Sequence, residues 1–299
     1  MYARLEKIRE WLQILIDVLL SIMMGPYALI VIMILKMQPL VESIFTRRYT
    51  DFKKESFTKY WEKSLKHLKY TLPENIEFIC EERKGFPLKI ITRKKMSKLD
   101  SSFEWEGGQI IAKDKGFNFI RVKMRLDFEQ SSAEDGNVAL WALGNTEEFR
   151  YVIGIDRRSG DIFAHCMDDK GNEYIKERAR THFKDYLKEK ADAWVVLGIK
   201  WELSGVRFFI YDELSREADE YLFRGPLANR ELREKIMKDA SKTYLHGVKE
   251  LWIRTDLVAR DIERSIVAEI EYVDVRKAFL SSLLSPLMKI KSRRSHKYR

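Results

Sequence analysis

The sequence predicts a mainly β fold: a two-sheet antiparallel sandwich with helical insertions, preceded by a membrane-embedded helix and an amphipathic helical segment. Three observations carry the prediction. Near its start the chain has eighteen consecutive residues without a charge, Val18 to Leu35. Apolar residues then recur at three- and four-residue steps up to about residue 72. After Pro73 the pattern becomes alternation, in many short runs separated by turn residues.

At a rise of about 1.5 Å per residue, a helix from Leu12 to Leu35 spans a hydrocarbon core of roughly 30 Å. Residues 1–40 are therefore read as a membrane anchor. Gly25-Pro26 interrupts the run, so the segment is either a single span or a hairpin within one leaflet, with a buried core helix as the soluble alternative. Lys36-Met37-Gln38-Pro39-Leu40 offers no small-residue cleavage site, and the segment is expected to stay attached. Lys36, Arg47, Arg48, Lys53 and Lys54 follow it closely, which favours a cytoplasmic side for what comes after. The expected localisation is a membrane, single-pass or monotopic.

Residues 41–72 place Ile44, Phe45, Phe52, Phe57, Tyr60, Trp61, Leu65 and Leu68 among eight basic residues. That reads as one or two basic amphipathic helices, lying on anionic headgroups or packed on the following domain.

Residues 73–279 are read as one domain of strands. Ile76–Cys80, Leu88–Ile91, Ser102–Trp105, Gln109–Ile111 and Phe117–Phe128 come first; in the last, Ile120, Val122, Met124 and Leu126 alternate with Arg121, Lys123 and Arg125. Asn137–Leu143, Glu147–Asp156, Asp161–Cys166, Ala193–Leu203, Val206–Tyr211, Val248–Asp256 and Ser265–Val275 follow, with turn-like joins at Arg157–Gly160 and Ser204-Gly205. So many half-apolar strands require two stacked sheets. Helices are expected at Glu173–Lys190 and Pro226–Tyr244.

The net charge of +9 is uneven. Residues 1–97 carry 18 basic and 11 acidic side chains, 98–279 carry 31 and 35, and 280–299 carry six and none. The excess sits on the flanks, which argues for anionic lipid as partner and against nucleic acid for the body. In the basic tail, 280–299, the stretch Ser285–Arg299 follows the apolar Ala278 to Leu284, and it is read as a second membrane-surface contact, a solvated tail, or, third, a nucleic-acid contact. Four Gln and six Asn make a chain poor in thermolabile amides, a composition of thermophile type.

Four stretches together resemble a known family: Phe103 to Ile110 leading into Phe119–Met124; Val138 to Gly144 leading into Arg150–Asp156; Leu197–Trp201 before Val206–Asp212; and Ala268–Val275. Over about residues 95–279 the chain resembles the concanavalin A-like lectin and glucanase jelly rolls. The resemblance implies a carbohydrate ligand. Glucanase members carry alternating carboxylates on the strand after the "W-x-L" strand, since a retaining glycosidase needs two carboxyls about 5 to 5.5 Å apart. Glu147 to Asp156 shows no such pair, so no catalytic residue is assigned.

His67, His165, His182, His246 and His296 lack metal-ligand spacing and are read as surface or capping residues, and no phosphate-binding glycine motif occurs; neither metal nor cofactor is predicted. Cys166 adjoins His165, but neighbours on a strand face opposite ways, so Cys166 is read as a buried residue. The candidate ligand-binding set is Trp105, Trp141, Arg150, Asp156, Trp252 and Arg254, with Trp201 beside them: flat rings and planar hydrogen-bonding groups suit a sugar. The expected function is a membrane-anchored, non-catalytic module binding glycan or another protein. The alternatives are a divergent glycoside hydrolase drawing on Glu148, Asp156, Asp161 and Glu269, and a structural assembly protein of an envelope.

Overall fold

Alternation along the strand Phe117–Leu126 separates a dry face from a charged one. Ile120, Val122, Met124 and Leu126 are at most 1% exposed, while Arg121 donates to Asp274 and Arg125 to Glu269, both at 2.8 Å. The computed structural model describes residues 47–64, 76–94, 106–174, 177–178, 193–211, 218–258 and 264–278. The expected membrane anchor, Trp105 and the basic tail lie outside these residues. Among the described residues no helix is long and apolar enough to cross a membrane.

In chain order the strands are β1 (Arg47–Asp51), β2 (Trp61–Ser64), β3 (Ile76–Glu81), β4 (Leu88–Lys94), β5 (Glu106–Ala112), β6 (Phe117–Leu126), β7 (Asp135–Leu143), β8 (Phe149–Asp156), β9 (Ile162–Asp168), β10 (Glu177–Arg178), β11 (Val195–Glu202), β12 (Gly205–Tyr211), β13 (Ala218–Phe223), β14 (Glu250–Val258) and β15 (Arg264–Lys277). One sheet runs β13-β12-β11-β6-β15-β4-β3, with β1 also on β15; the other runs β10-β9-β8-β7-β14-β5-β2. Neighbours are antiparallel throughout, as a two-layer sandwich predicts. Between the layers Trp201 of β11 meets Tyr151 of β8 edge to face, with ring centroids 5.6 Å apart. Thr92 of β4 and Thr255 of β14 join their hydroxyls across the same gap at 2.5 Å.

Three expectations are corrected. Residues 47–64 form β1, a 3-10 turn at Phe57–Lys59 and β2 instead of an amphipathic helix. Phe52, Phe57 and Trp61 belong to the sandwich core, so this stretch is part of the β unit, which begins at Arg47. Burying three aromatic rings there outweighs local helical spacing, at about 1.5–3 kcal/mol for a large side chain. Within the expected helix Glu173–Lys190, Glu177–Arg178 pair with β9 as β10, while residues 179–190 lie outside the described residues. The second expected helix is present but starts later, as α1 (Arg230–His246), because the Asn229 side chain caps it by accepting from the Leu232 N–H at 3.0 Å.

Helix α1 turns Ile236, Asp239, Ala240 and Thr243 into the structure, and Ile236 and Ala240 join the common core. Its Asp239 carboxylate accepts from the Thr146 N–H (2.7 Å), the Thr146 hydroxyl (2.6 Å) and the Tyr151 hydroxyl (2.7 Å). Asn145 donates its N–H to Thr243 Oγ1 at 2.8 Å. These bonds lock the β7–β8 loop onto α1. Burial pushes the Asp239 carboxyl above the usual range, although the donors from Thr146 and Tyr151 pull the other way.

Candidate functional site

The face of the second sheet turned away from the core is where the sequence-predicted residues gather. Strand alternation puts Asn137, Ala139, Trp141 and Leu143 of β7 outward, and Val138, Leu140 and Ala142 inward. The same rule turns out Arg150, Val152, Gly154 and Asp156 on β8, Phe163, His165 and Met167 on β9, and Trp252, Arg254 and Asp256 on β14. A separate apolar cluster of Ala139, Trp141, Val152 and Trp252 forms there, with Ile111, Leu143, Phe163 and Met167 packed on it.

Register makes three rows across this face. The first runs His165, Val152, Trp141, Trp252, Ile111; the second Phe163, Gly154, Ala139, Arg254, Gln109; the third Asp156, Asn137, Asp256, Gly107. Gly154 and Ala139 leave the middle of the second row low between Phe163 and Arg254. A Cβ on Gly154 would come within 2.6 Å of the Ala139 Cβ, so the backbones there are as close as small residues permit.

Trp141 and Trp252 stack with centroids 5.9 Å apart and planes 16° from parallel. His165 meets Trp141 edge-on at 6.1 Å and stacks on Phe163 at 5.6 Å. The Arg254 guanidinium lies 5.9 Å from the Trp141 centroid, and its Nε donates to Asp256 Oδ1 at 2.5 Å. The face is closed: Trp141 and His165 are 8% exposed, Arg254 5% and Trp252 3%.

Within this closed face, Trp141 Nε1, Trp252 Nε1, Arg150 Nε and Asn137 Oδ1 are buried with no hydrogen-bond partner among the described residues. Leaving a buried polar group unmatched costs about 1–3 kcal/mol each.

The structure therefore brings together Trp141, Trp252 and Arg254, with Arg150 one diagonal step from Trp141 across the Arg150–Leu143 pair. Asp156 shares the face at its far end, but its carboxylate accepts from the Ser159 N–H (2.8 Å) and hydroxyl (3.1 Å) and shapes the β8–β9 turn. It is a turn residue. Trp201 is fully buried between the sheets, because it alternates in step with Leu197 and Ile199 and not with the outer positions. Trp105 lies outside the described residues. His165, taken from sequence as a surface or capping residue, is instead part of the aromatic cluster; the alternation Phe163, His165, Met167 was the signal that places it.

The four carboxylates of the hydrolase alternative do not converge. Glu269 is on the outer face of the other sheet with Arg125, Glu148 is exposed in the β7–β8 loop, and Asp161 is buried at the β8–β9 turn. Asp156 and Asp256 flank Asn137 two strands apart, about 9–10 Å by strand spacing. One is engaged by Ser159 and the other by Arg254. Of the outward positions of β8, Arg150, Val152, Gly154 and Asp156, the last alone is a carboxylate, so the strand carries no alternating pair.

Cys166 faces the core, opposite to His165, and burial pushes its thiol far above the ordinary value. Burial likewise pushes Cys80 up to about 12, so neither thiol is a nucleophile near neutrality. Among the described residues no group of three or more His, Cys, Asp or Glu is placed to hold a metal ion.

No protein-family model matches the chain, and no curated protein matches it. Solved structures similar to it include glucanases and a lectin-like protein. A β-1,3-1,4-glucanase (lichenase) derived from a mouse hindgut metagenome is 11% identical with a TM-score of 0.49, covering 78% of this chain and 100% of its own. The laminarinase catalytic domain from Thermotoga maritima is 12% identical with a TM-score of 0.42, covering 78% and 97%. Arcelin-5, a lectin-like defense protein from Phaseolus vulgaris, is 9% identical with a TM-score of 0.39, covering 78% and 99%.

Proposed function

We propose that the sandwich is a non-catalytic carbohydrate-binding module whose ligand enters the outer face of the second sheet at Trp141 and Trp252. The observation that carries this reading is the pair of buried indole N–H groups on cross-strand neighbours, both without hydrogen-bond partners among the described residues. Trp252 covers one face of Trp141 and Arg254 lies over its ring, so the indoles contribute N–H donors more than a stacking platform. A sugar oxygen accepting from both N–H groups removes two unmatched donors from a low-dielectric cleft. Binding of the full chain to a glycan array, and its loss in Trp141→Phe and Trp252→Phe, tests this; an array with no bound glycan sinks it.

The closure of the face, with Trp252 only 3% exposed, favours one second reading, a structural module held by protein contacts alone. Self-association of the purified chain with no glycan bound would select it.

We further propose that the module is tethered to a membrane by residues 12–35, with lipid as the partner. Supporting this, the leader's point of attachment, Arg47, pairs with Arg276, two residues before the last described residue, Ala278. A leader with eighteen uncharged residues and a tail with six basic ones thus attach to the sandwich at neighbouring points. Resistance of the membrane-associated chain to alkaline carbonate, lost on removing residues 1–40, is the expected result; release by carbonate alone would refute the tether.

A further inference from the structure

We infer that the end of the sandwich at which β1 begins and β15 ends is itself a docking surface for anionic lipid headgroups; the inference rests on the membrane tether proposed above. Register fixes what lies at this end. Arg47 of β1 pairs with Arg276 of β15, Arg276 with Phe119 of β6, and Phe119 with Lys200 of β11, so the β11–β12 turn lies just beyond this row. Gly116, in the β5–β6 turn, belongs to the same end: its N–H donates to the Val248 carbonyl at 3.0 Å and its carbonyl accepts from the Ala278 N–H at 2.7 Å. Leu35 and Arg47 are twelve residues apart, which keeps this end within about 40 Å of the proposed span. The other end lies about 30 Å away along β6.

Exposed leucines collect here. Leu227 and Leu203, 85% and 61% exposed, are the most exposed large apolar side chains among the described residues. Leu203 is in the β11–β12 turn and Leu227 lies between β13 and α1. The two segments adjoin, since a Cβ on Gly205 would come within 2.4 Å of the Phe223 carbonyl oxygen and 3.3 Å of Arg224 Cγ. A leucine on a turn gains nothing from water, and is buried when the turn enters the boundary between headgroups and acyl chains.

Charge selects the same end. Arg48 and Lys277 share a single carboxylate, Asp114, with Lys277 at 3.7 Å. Lys113 donates Nζ to the Thr58 main-chain carbonyl at 2.5 Å, a neutral partner. Arg276 lies over the Phe119 ring at 4.5 Å with its Nε unmatched, and Arg224 and Lys242 are exposed cations that form no ion pair among the described residues. Carboxylates next to these cations are already engaged, Glu202 by Lys200 at 3.0 Å and Arg207 at 3.2 Å, and Glu250 by Lys115 at 3.9 Å. The opposite end has the reverse balance. Its β6–β7 connection carries Glu129, Glu134 and Asp135, while Arg158 is held by Asp135 at 3.8 Å and Arg264 by Glu134 at 3.9 Å. An anionic bilayer attracts the first end and repels the second, over about a Debye length of 8–10 Å.

The test places the full chain in nanodiscs of phosphatidylcholine, with and without phosphatidylglycerol as about a third of the lipid, and follows lysine acetylation by mass spectrometry. Lys113 and Lys115, exposed in the β5–β6 turn, are expected to react at least about fivefold more slowly in the anionic discs. Lys84, in the β3–β4 turn away from this end, should react equally in both. Arg224→Glu with Lys242→Glu, and separately Leu203→Ser with Leu227→Ser, change exposed side chains and should each remove most of the difference. Equal rates in the two discs, slowing of Lys84 as great as that of Lys113, or an unchanged difference in either double variant overturns the inference. Equal rates in a chain that alkaline carbonate does not release leave the tether standing and remove this contact alone; a chain that carbonate releases removes both.

Discussion

Trp141 and Trp252 face each other across β7 and β14 as a direct cross-strand pair, stacked at 5.9 Å, and neither indole N–H has a hydrogen-bond partner among the described residues. A stack alone needs no nitrogen. Phenylalanine would keep the ring contact and drop the unmatched donor, so Trp252→Phe separates packing from recognition. Without ligand, its thermal stability should equal or exceed the parent's by up to about 1 kcal/mol, while glycan affinity falls several-fold. A large loss of stability in calorimetry would mean the indole is only a core group.

Asp156 makes the opposite case. Its carboxylate organises the turn Arg157–Gly160 through Ser159. Asp156→Ala should cost about 1 kcal/mol in chemical denaturation and leave glycan affinity unchanged. A selective loss of binding would return Asp156 to the site.

Asp239 ties α1 to both Tyr151 and Thr146. Asp239→Ala strands the Tyr151 hydroxyl and the Thr146 N–H in the interior, and should destabilise by about 3 kcal/mol or more. Asp239→Asn preserves the shape and an acceptor for Thr146, and should cost much less. Urea denaturation of the two variants compares them directly.

The acid limb of stability should carry two opposing contributions. Burial raises the Asp168 carboxyl, but donors from Tyr174, Asn172 and Lys170 outweigh it and hold it at about 2, below the ordinary 3.8. Its contribution is therefore present above pH 3.8 and is lost as pH falls toward about 2. Asp239 lies above 3.8 in the fold, so the native state takes up its proton first, and its contribution grows as pH falls through the folded value toward 3.8. Asp239→Asn should remove the second effect and leave the first, so stability measured against pH should lose its gain on mild acidification and keep its fall below pH 3.8. An unaltered pH profile in that variant would contradict the assignment.

Gly198 lies under the Phe209 ring, which stacks on Phe119 at 5.6 Å on the outer face of the first sheet. A Cβ at residue 198 would reach to 2.0 Å from Phe209 Cζ. Gly198→Ala should cost about 1–3 kcal/mol by forcing the ring aside, and Gly198→Ala with Phe209→Leu should recover part of it. Denaturation midpoints of the single and double variants decide this.

Most strands were legible because their evidence is local. The run Ile120 to Leu126 alternates in sequence as it does in space, and Gly160 and Gly205 mark turns with positive φ of 67° and 147°. The candidate site was half legible. Trp141, Arg150, Trp252 and Arg254 could be named from residue chemistry. Trp201 could not be separated from Trp141, because both lie on strands buried on both faces and alternation has no polar side to orient it.

What the sequence by itself determined was the β class, the two-layer need and the uneven distribution of charge, all properties of composition and short-range period. Tertiary structure alone decided that Phe52, Phe57 and Trp61 enter a sandwich core, since their spacing fits a helix until β15 and β5 offer edges for β1 and β2. It also decided which tryptophans share the outer face and which of their N–H groups stay unmatched. Those facts depend on register between strands far apart in the chain, where a shift of one residue would send every side chain to the other side.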